Sequence, residues 1–490
     1  QEKHMARNMT LLTDLYEITM AQGYWSQGKL DTEACFYSFY RDNPFGGGYG
    51  VFCGANQIAE RVDGFGFTDD DIEYLASLTT AAKTPLFDPD FLAWLRQLEL
   101  SVDICTVPEG SPVFPREPLV RVTGPLLQCQ LLEPAILNGI NFQTLIATKA
   151  ARICKAAEGR PVSEFGLRRA QGPDGAMSAS RAAYVGGCAS VANVLAGKRY
   201  GIPVGGTHAH SWVMSFPDEL TAFRAYAAEM PDNCTLLVDT YDVEQGVKNA
   251  IIVARELERS GHKLQAIRID SGDLAWLSKM ARSMLDMAGL FDVGIVLSND
   301  LDEYTIMSLN DQKAQYTSLG VGTHLAAAYG QPALGGVYKL SAIREPGQDA
   351  WSPRLKISEQ LYKRTIPGVL DVRRYFDADG RLAGDLIIDV NDDVPADAVM
   401  VDPLDATRRK KVEGRFETLL KPLVSNGRVN DVDISAQSAR ERCVGQLALL
   451  DDSIKRFMNP HEYPCGIERG LFQRRNDMVI ATGRNSSLYD

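Results

Sequence analysis

In the middle of the chain, short apolar runs alternate with longer amphipathic stretches. The runs are PVSEFG (Pro161–Gly166), IPVGGT (Ile202–Thr207), TLLVDT (Thr235–Thr240), QAIRID (Gln265–Asp270), VGIVLSND (Val293–Asp300) and YTSLGVGT (Tyr316–Thr323). Runs this short and this rich in β-branched residues predict strands buried on both faces. The stretch YDVEQGVKNAIIVARELERSG sets its apolar residues at helical spacing and ends at Gly261, a residue suited to a helix C-cap. SGDLAWLSKMARSMLDMAGL likewise carries Leu274, Leu277, Met280, Met284 and Leu285 on one side. Buried strands alternating with helices predict βα units around a parallel sheet. The expected fold is α/β, an incomplete TIM-like barrel.

The flanks follow other rhythms. Residues 9–135 mix short strands (ACFYSFYR, SVDICTV, PLVRVTGP) with helical stretches, an N-terminal mixed α+β domain. Their glycine-rich NPFGGGYGVF reads as a hairpin turn, because no helix pattern follows it. Residues 136–345 hold the barrel. Residues 346–490 are rich in turns and short strands, with an amphipathic stretch at 451–458, and are expected to pack on the other two segments as a mixed extension. The opening QEKHM reads as a cloning remnant before Met5 and is set aside.

Composition narrows the function. A chain of 490 residues needs more than one core. Its net charge of −12 speaks against broad nucleic-acid binding, so an anionic ligand must be held by a local cluster of cations and backbone N–H groups. The nine cysteines are scattered, with no CxxC pair, which fits reduced thiols better than disulfides or a zinc site. No apolar run reaches membrane-spanning length. A cytoplasmic protein that binds neither nucleic acid nor membrane is expected.

Nearly every predicted strand ends in polar chemistry: Glu164, then Thr207 with His208 and His210, Asp239, Asp270, Ser298 with Asn299 and Asp300, and finally Gly320 and Gly322. In a parallel barrel these ends share one face, where active sites lie. EFGLRRAQGPDGAMSASRAAY adds Arg168, Arg169 and Arg181, whose guanidinium forks suit phosphate or pyrophosphate, with Asp174 expected to cap the next helix. Read alone, an arginine pair on a loop is merely solvated; the strand-end setting favours a ligand. Arg268 and Asp270 alternate along one strand and point the same way. Asp270 and Asp273 suit Mg²⁺ or sugar hydroxyls, although one of them is expected only to cap the following helix. Gly320, Gly322 and Thr323, beside Ser298 and Asn299, suit phosphate held by backbone N–H groups. NVLAGKRYG is not a P-loop: Ala192 stands at the first glycine position and Arg199 follows Lys198.

The pair in GTHAHSW has three readings: an HxH metal site, two histidines without chemistry, or one functional imidazole beside a phosphate-binding mouth. A barrel metal hydrolase needs further histidines at other strand ends, and only His324 and His262 remain, the latter in a helix-to-strand turn at the opposite end. The setting of arginine, aspartate and glycine turns favours the third reading.

Taken together, the segments resemble the nicotinate phosphoribosyltransferase family. The resemblance runs through LLTDLYEITMAQGYW, NPFGGGYGVF, EFGLRRAQGPDGAMSASRAAYVGGCASVANVLAGK, GTHAHSWVMSF, LLVDTYDV, RIDSGDL, SND and GVGTHL…QPALGGVYKL, with a looser stretch at KISEQLYKRTIPG. It implies that nicotinate and phosphoribosyl pyrophosphate give nicotinate mononucleotide and pyrophosphate, with coupled ATP hydrolysis, Mg²⁺ and a homodimer with a composite site. The nicotinamide and quinolinate branches of the superfamily are the alternatives. The nicotinamide branch carries an aspartate near Ala192–Val194, where this chain has no acidic residue.

The resemblance also implies roles. His210 matches the histidine that ATP phosphorylates, whereas His208 falls where the family varies and receives no chemistry. Tyr16, Phe165, Arg168, Thr207 and Arg268 match substrate-binding positions, the tyrosine reaching across the dimer. Arg181, Ser298, Asn299, Gly320, Gly322 and Thr323 fall to phosphoribosyl pyrophosphate. Asp239 and Asp270 lie near the histidine and the ribose, with Asp270 the candidate Mg²⁺ ligand.

Overall fold

Six short strands of the central segment pair side by side, all parallel: β1 (Val162–Glu164), β2 (Ser190–Val191), β3 (Thr235–Leu237), β4 (Ala266–Ile269), β5 (Gly294–Leu297) and β6 (Ser318–Val321). Their order in the sheet is β2-β1-β6-β5-β4-β3. In register, Leu237 faces Arg268, Ile269 faces Leu297, and Leu319 faces Val162. β2 and β3 end this order and are not paired with each other among the described residues. The computed structural model describes residues 8–357 and 364–481; the opening QEKHM and part of KISEQLYKRTIPG lie outside them.

Five of the six apolar runs contain these strands. The exception is IPVGGT, which forms only an isolated parallel bridge from Val204 to Val191. The strand beside it is the two-residue β2, too short and too polar at Ser190 to stand out as an apolar run. The helices follow their pattern. Val243–Arg259 starts at Asp242, whose side chain accepts the Gln245 N–H, and buries Val247, Ala250, Val253, Ala254 and Leu257. Each such buried aliphatic side chain contributes about 1.5–3 kcal/mol at valine or leucine size. The helix stops at Ser260, and Gly261 follows with φ +87°, a conformation favoured by glycine. Leu274–Met287 is capped by Asp273, whose carboxylate accepts the Trp276 N–H at 3.0 Å. That capping role leaves Asp270 for chemistry. Helix Gly172–Val185 has Gln171 at its N-cap, so Asp174 is an acidic residue of the first turn and not the cap.

Contacts group the chain into two units: Leu145–Pro332, and Gln1–Thr144 together with Ala333–Asp490. Strand pairing explains the second grouping. Glu33–Tyr40 lies between Val120–Pro125 and the late strand Gly336–Arg344, and Asp103–Thr106 pairs with the still later Lys421–Ser425. A second sheet holds Leu382–Asp389 between Leu370–Phe376 and Cys465–Glu468. Arg374 ties the early and late chain together. Its guanidinium is buried, donates to Asp385 Oδ2 at 2.6 Å and to the Pro112 carbonyl at 2.7 Å, and lies 3.7 Å from Glu117. NPFGGGYGVF is not a hairpin turn: it forms a 3₁₀ turn at Pro44–Gly46 and then the strand Gly50–Val51, which pairs with Pro112–Val113. Residues 451–458 form turns; the nearby helix is Ala436–Leu449.

Candidate active site

Because all six strands are parallel, the residues just beyond their C-terminal ends gather along one edge. Arg268, on β4, is the hub. Its Nε donates to Ser298 Oγ beyond β5 at 2.9 Å, Nη1 to Thr207 Oγ1 at 3.0 Å, and Nη2 to Asp270 Oδ1 at 3.1 Å. Ser298 Oγ also donates to Asp270 Oδ1 at 2.6 Å. Beyond β3, Asp239 Oδ2 accepts the backbone N–H of Asp270 at 2.9 Å and the Ser271 hydroxyl at 2.6 Å. His210 joins the same group: Nδ1 is 3.1 Å from Thr240 Oγ1, and Nε2 is 3.8 Å from Asp270 Oδ2.

A second layer shapes the floor. The Phe165 ring lies under the Arg268 guanidinium, 5.5 Å from centre to centre. It is seated on Gly320, where an added Cβ would lie 2.5 Å from Phe165 Cε2, so only glycine fits. Phe165 N donates to the Val321 carbonyl at 2.8 Å. Glu164 is buried beneath it; it accepts the Gly166 N–H and the Ser180 hydroxyl, the latter at 2.9 Å. Burial raises the Glu164 carboxyl above its ordinary value, and those two donors oppose the rise. Asn299 and Asp300, beyond β5, have φ +102° and +35°. Non-glycine residues held there cost about 1–3 kcal/mol each, a strain that clusters at ligand sites.

The structure therefore brings together Phe165, Thr207, His210, Asp239, Arg268, Asp270, Ser298 and Gly320. Gly322 precedes the short helix Thr323–Ala326 at the end of β6. Arg168 is exposed on the 3₁₀ turn Leu167–Arg169. Arg181 is 2% exposed, its guanidinium 5.8 Å over the ring of Tyr200, which ends helix Val194–Tyr200. Tyr16 belongs to the other unit, on helix Leu15–Ser26, and is 48% exposed. Sequence reasoning missed Thr240 and Ser271, although each directly follows a strand-end aspartate, which is the signal that would have found them. The HxH metal reading fails on geometry. His208 is buried with Nε2 against the Leu237 N–H, while His210 turns to Thr240 and Asp270. Among the described residues, no three His, Cys, Asp or Glu side chains form a metal cage. Likewise, no described helix is long and apolar enough to cross a membrane.

An arginine fork, two carboxylates and an imidazole at the C-terminal edge of a parallel sheet define a site for an anionic, phosphate-bearing substrate. The comparisons agree. The chain matches the nicotinate phosphoribosyltransferase N-terminal domain over residues 11–141, the family's central model over 161–349 and its C-terminal domain over 371–475. It is 40% identical to the nicotinate phosphoribosyltransferase of Bacillus subtilis, covering 96% of this chain and 95% of that one. The Dictyostelium discoideum enzyme of the same name is 36% identical, covering 96% and 88%. The crystal structure of human nicotinic acid phosphoribosyltransferase superposes with a TM-score of 0.82 at 32% identity, covering 95% of this chain and 99% of the human one. The chain belongs to the nicotinate phosphoribosyltransferase family.

Proposed function

We propose that the chain condenses nicotinate with phosphoribosyl pyrophosphate to nicotinate mononucleotide and pyrophosphate, with ATP hydrolysis coupled through phosphorylation of His210. The observation that carries this reading is the Arg268 fork. A guanidinium has five N–H donors. Three are used on Thr207, Ser298 and Asp270, leaving one on each terminal nitrogen. That remaining pair suits a carboxylate, and the Phe165 face beside it suits the pyridine ring. Arg168, exposed on the turn after β1, is a second cation for the carboxylate or the pyrophosphate. A neutral amide offers one acceptor oxygen to that remaining pair where a carboxylate offers two, so the acid is favoured over nicotinamide.

In the reaction the pyridine nitrogen forms a bond to the ribose carbon as the carbon–oxygen bond to pyrophosphate breaks, the pyrophosphate leaving with the electron pair. The protein orients the two partners and stabilises the cationic sugar, for which the carboxylates of Asp239 and Asp270 are placed. Ser298, the left-handed backbone of Asn299, and the β6 turn with Gly320, Gly322 and Thr323 are assigned to the phosphoribosyl group. Arg181, on helix Gly172–Val185, is assigned to the same group.

Mg²⁺ fits this donor set. Asp239 Oδ1 is buried and has no hydrogen-bond partner, and Asp270 lies beside it. Asp239 and Asp270, with no further cage among the described residues, would hold an ion shared with substrate phosphates, and it would supply charge neutralisation to the leaving pyrophosphate. The parallel strand order and the Val204 bridge beside β2 support an incomplete barrel. Tyr16, exposed on its helix, would stack on the pyridine ring of a second copy in a homodimer. The cytoplasm, where the substrates are expected, is the proposed location.

A coupled assay with nicotinate and nicotinamide, each with and without ATP, tests the reading. Mononucleotide should form from nicotinate and rise with ATP. His210→Ala should lose the ATP stimulation and keep a slower ATP-independent synthesis; full ATP coupling in that variant would overturn the phosphohistidine.

A further inference from the structure

His208 stands where the parallel sheet lacks a strand. In β3, alternate backbone N–H groups point to opposite sides, and that of Leu237 faces away from β4, toward the unpaired edge. The His208 Nε2 lies 3.2 Å from this N–H. Since a backbone N–H only donates, Nε2 carries the lone pair and the ring proton sits on Nδ1, 3.4 Å from the Ala209 carbonyl. The imidazole is 7% exposed and packs edge-on against Tyr226 at 4.7 Å and near Phe223 at 6.1 Å, both on helix Glu219–Glu229. Burial lowers its tendency to protonate, and Arg268 and His210 lower it further, while the Ala209 carbonyl opposes them.

On either side of His208 the same loop makes two catalytic-site contacts: Thr207 to Arg268, and His210 to Thr240 beyond the end of β3. The loop otherwise has little to hold it. Val204 bridges β2, and residues 205–209 belong to neither helix nor strand. We propose that His208 is a positioning residue: its imidazole substitutes for the missing strand partner at the β3 edge and thereby holds the loop that presents Thr207 and His210. The inference rests on the proposed reading for its catalytic consequence, but not for its geometry.

Two variants of the full chain test it. His208→Leu keeps the bulk and loses the acceptor, whereas His208→Gln can place Oε1 near the former position of Nε2. For the leucine variant we expect kcat/KM for nicotinate to fall about tenfold, the equivalent of one lost hydrogen bond with its donor left buried. The ATP consumed per mononucleotide formed should rise, because the phosphoacceptor loop is no longer held in register. The glutamine variant should recover most of both. A residue that served stability alone would lower Tm without changing the ATP-to-product ratio, and that result would overturn the proposal. Amide hydrogen exchange at Leu237 supplies a readout independent of catalysis. Its protection should drop in His208→Leu and return in His208→Gln; equal protection in all three proteins would also overturn it. If the wild-type chain made no mononucleotide, the proposed function would fail, yet the exchange experiment would still decide the role of His208.

Discussion

The backbone N–H of Asp270 donates to the side chain of Asp239 at 2.9 Å, so the ends of β4 and β3 share one carboxylate. One oxygen of Asp239 is thereby occupied, and the other remains buried without a partner. Asp239→Asn keeps the shape and removes the charge. We expect a fall in kcat/KM of about 100-fold, as for loss of a preorganised electrostatic group, with little change in Tm. Steady-state kinetics beside a thermal melt would check this, and near-normal turnover would remove Asp239 from the catalytic assignment.

Arg268→Lys tests the fork. Lysine keeps the positive charge but cannot reach Thr207, Ser298 and Asp270 while still offering two parallel donors to a carboxylate. The KM for nicotinate should rise about 10- to 100-fold. The KM for phosphoribosyl pyrophosphate should change much less. Equal rises in both would show that the residue supports the site as a whole.

Gly320→Ala puts a methyl group 2.5 Å from the Phe165 ring. The ring must move from under Arg268, at a cost of about 1–3 kcal/mol. Nicotinate binding should weaken, and Phe165→Leu in the same background should relieve part of the loss of Tm. Titration calorimetry with nicotinate reads the first effect and a melt reads the second.

Glu17 carries a pH prediction. It is buried, and burial pushes its carboxyl up to about 7, with Glu133 and Asp14 adding repulsion against Tyr16 and Lys339. A carboxyl raised in the folded state favours the protonated form. Its contribution to stability is therefore full below its ordinary value of 4.5 and is lost as pH rises through about 7. Glu17→Gln, neutral throughout, should become progressively more stable than the wild type over that window. A Tm difference that stays flat with pH would contradict the assignment.

Arg374→Met removes the buried cation that Asp385 and Glu117 face. Breaking a buried pair from one side costs about 3–5 kcal/mol. Restoring neutrality with Asp385→Asn in the same chain should recover part of it. Denaturant unfolding of the single and double variants measures the coupling.

Much of this was legible in the residues alone. The period of the apolar runs, the glycine at 261 and a capping aspartate at 270 or 273 are local signals, so the strands from Val162, Thr235, Ala266, Gly294 and Ser318 and the helices Val243–Arg259 and Leu274–Met287 could be read directly. The strand-end chemistry followed, because parallel strands bring their C-terminal residues to one edge regardless of the spacing between them. Three features escaped. IPVGGT looks like a strand and makes one bridge, while Ser190–Val191 hardly looks like one and pairs along β1. NPFGGGYGVF lost its hairpin because its partner, Pro112–Val113, lies far along the chain. Asp174 reads as a helix cap, yet Gln171 takes the N-cap position and leaves Asp174 in the first turn.

Local sequence thus determined five of the six central strands, two of the helices between them and the polar groups that end those strands, since these depend on near neighbours. Only the tertiary structure decided that late strands complete the N-terminal seven-stranded sheet, because strand pairing over hundreds of residues leaves no periodic trace. It also separated the two histidines. They are two residues apart on one loop, but the Leu237 N–H takes one imidazole into the core while Thr240 and Asp270 hold the other at the strand ends. That difference comes from an unpaired backbone donor on a distant strand, which no pattern in GTHAHSW encodes.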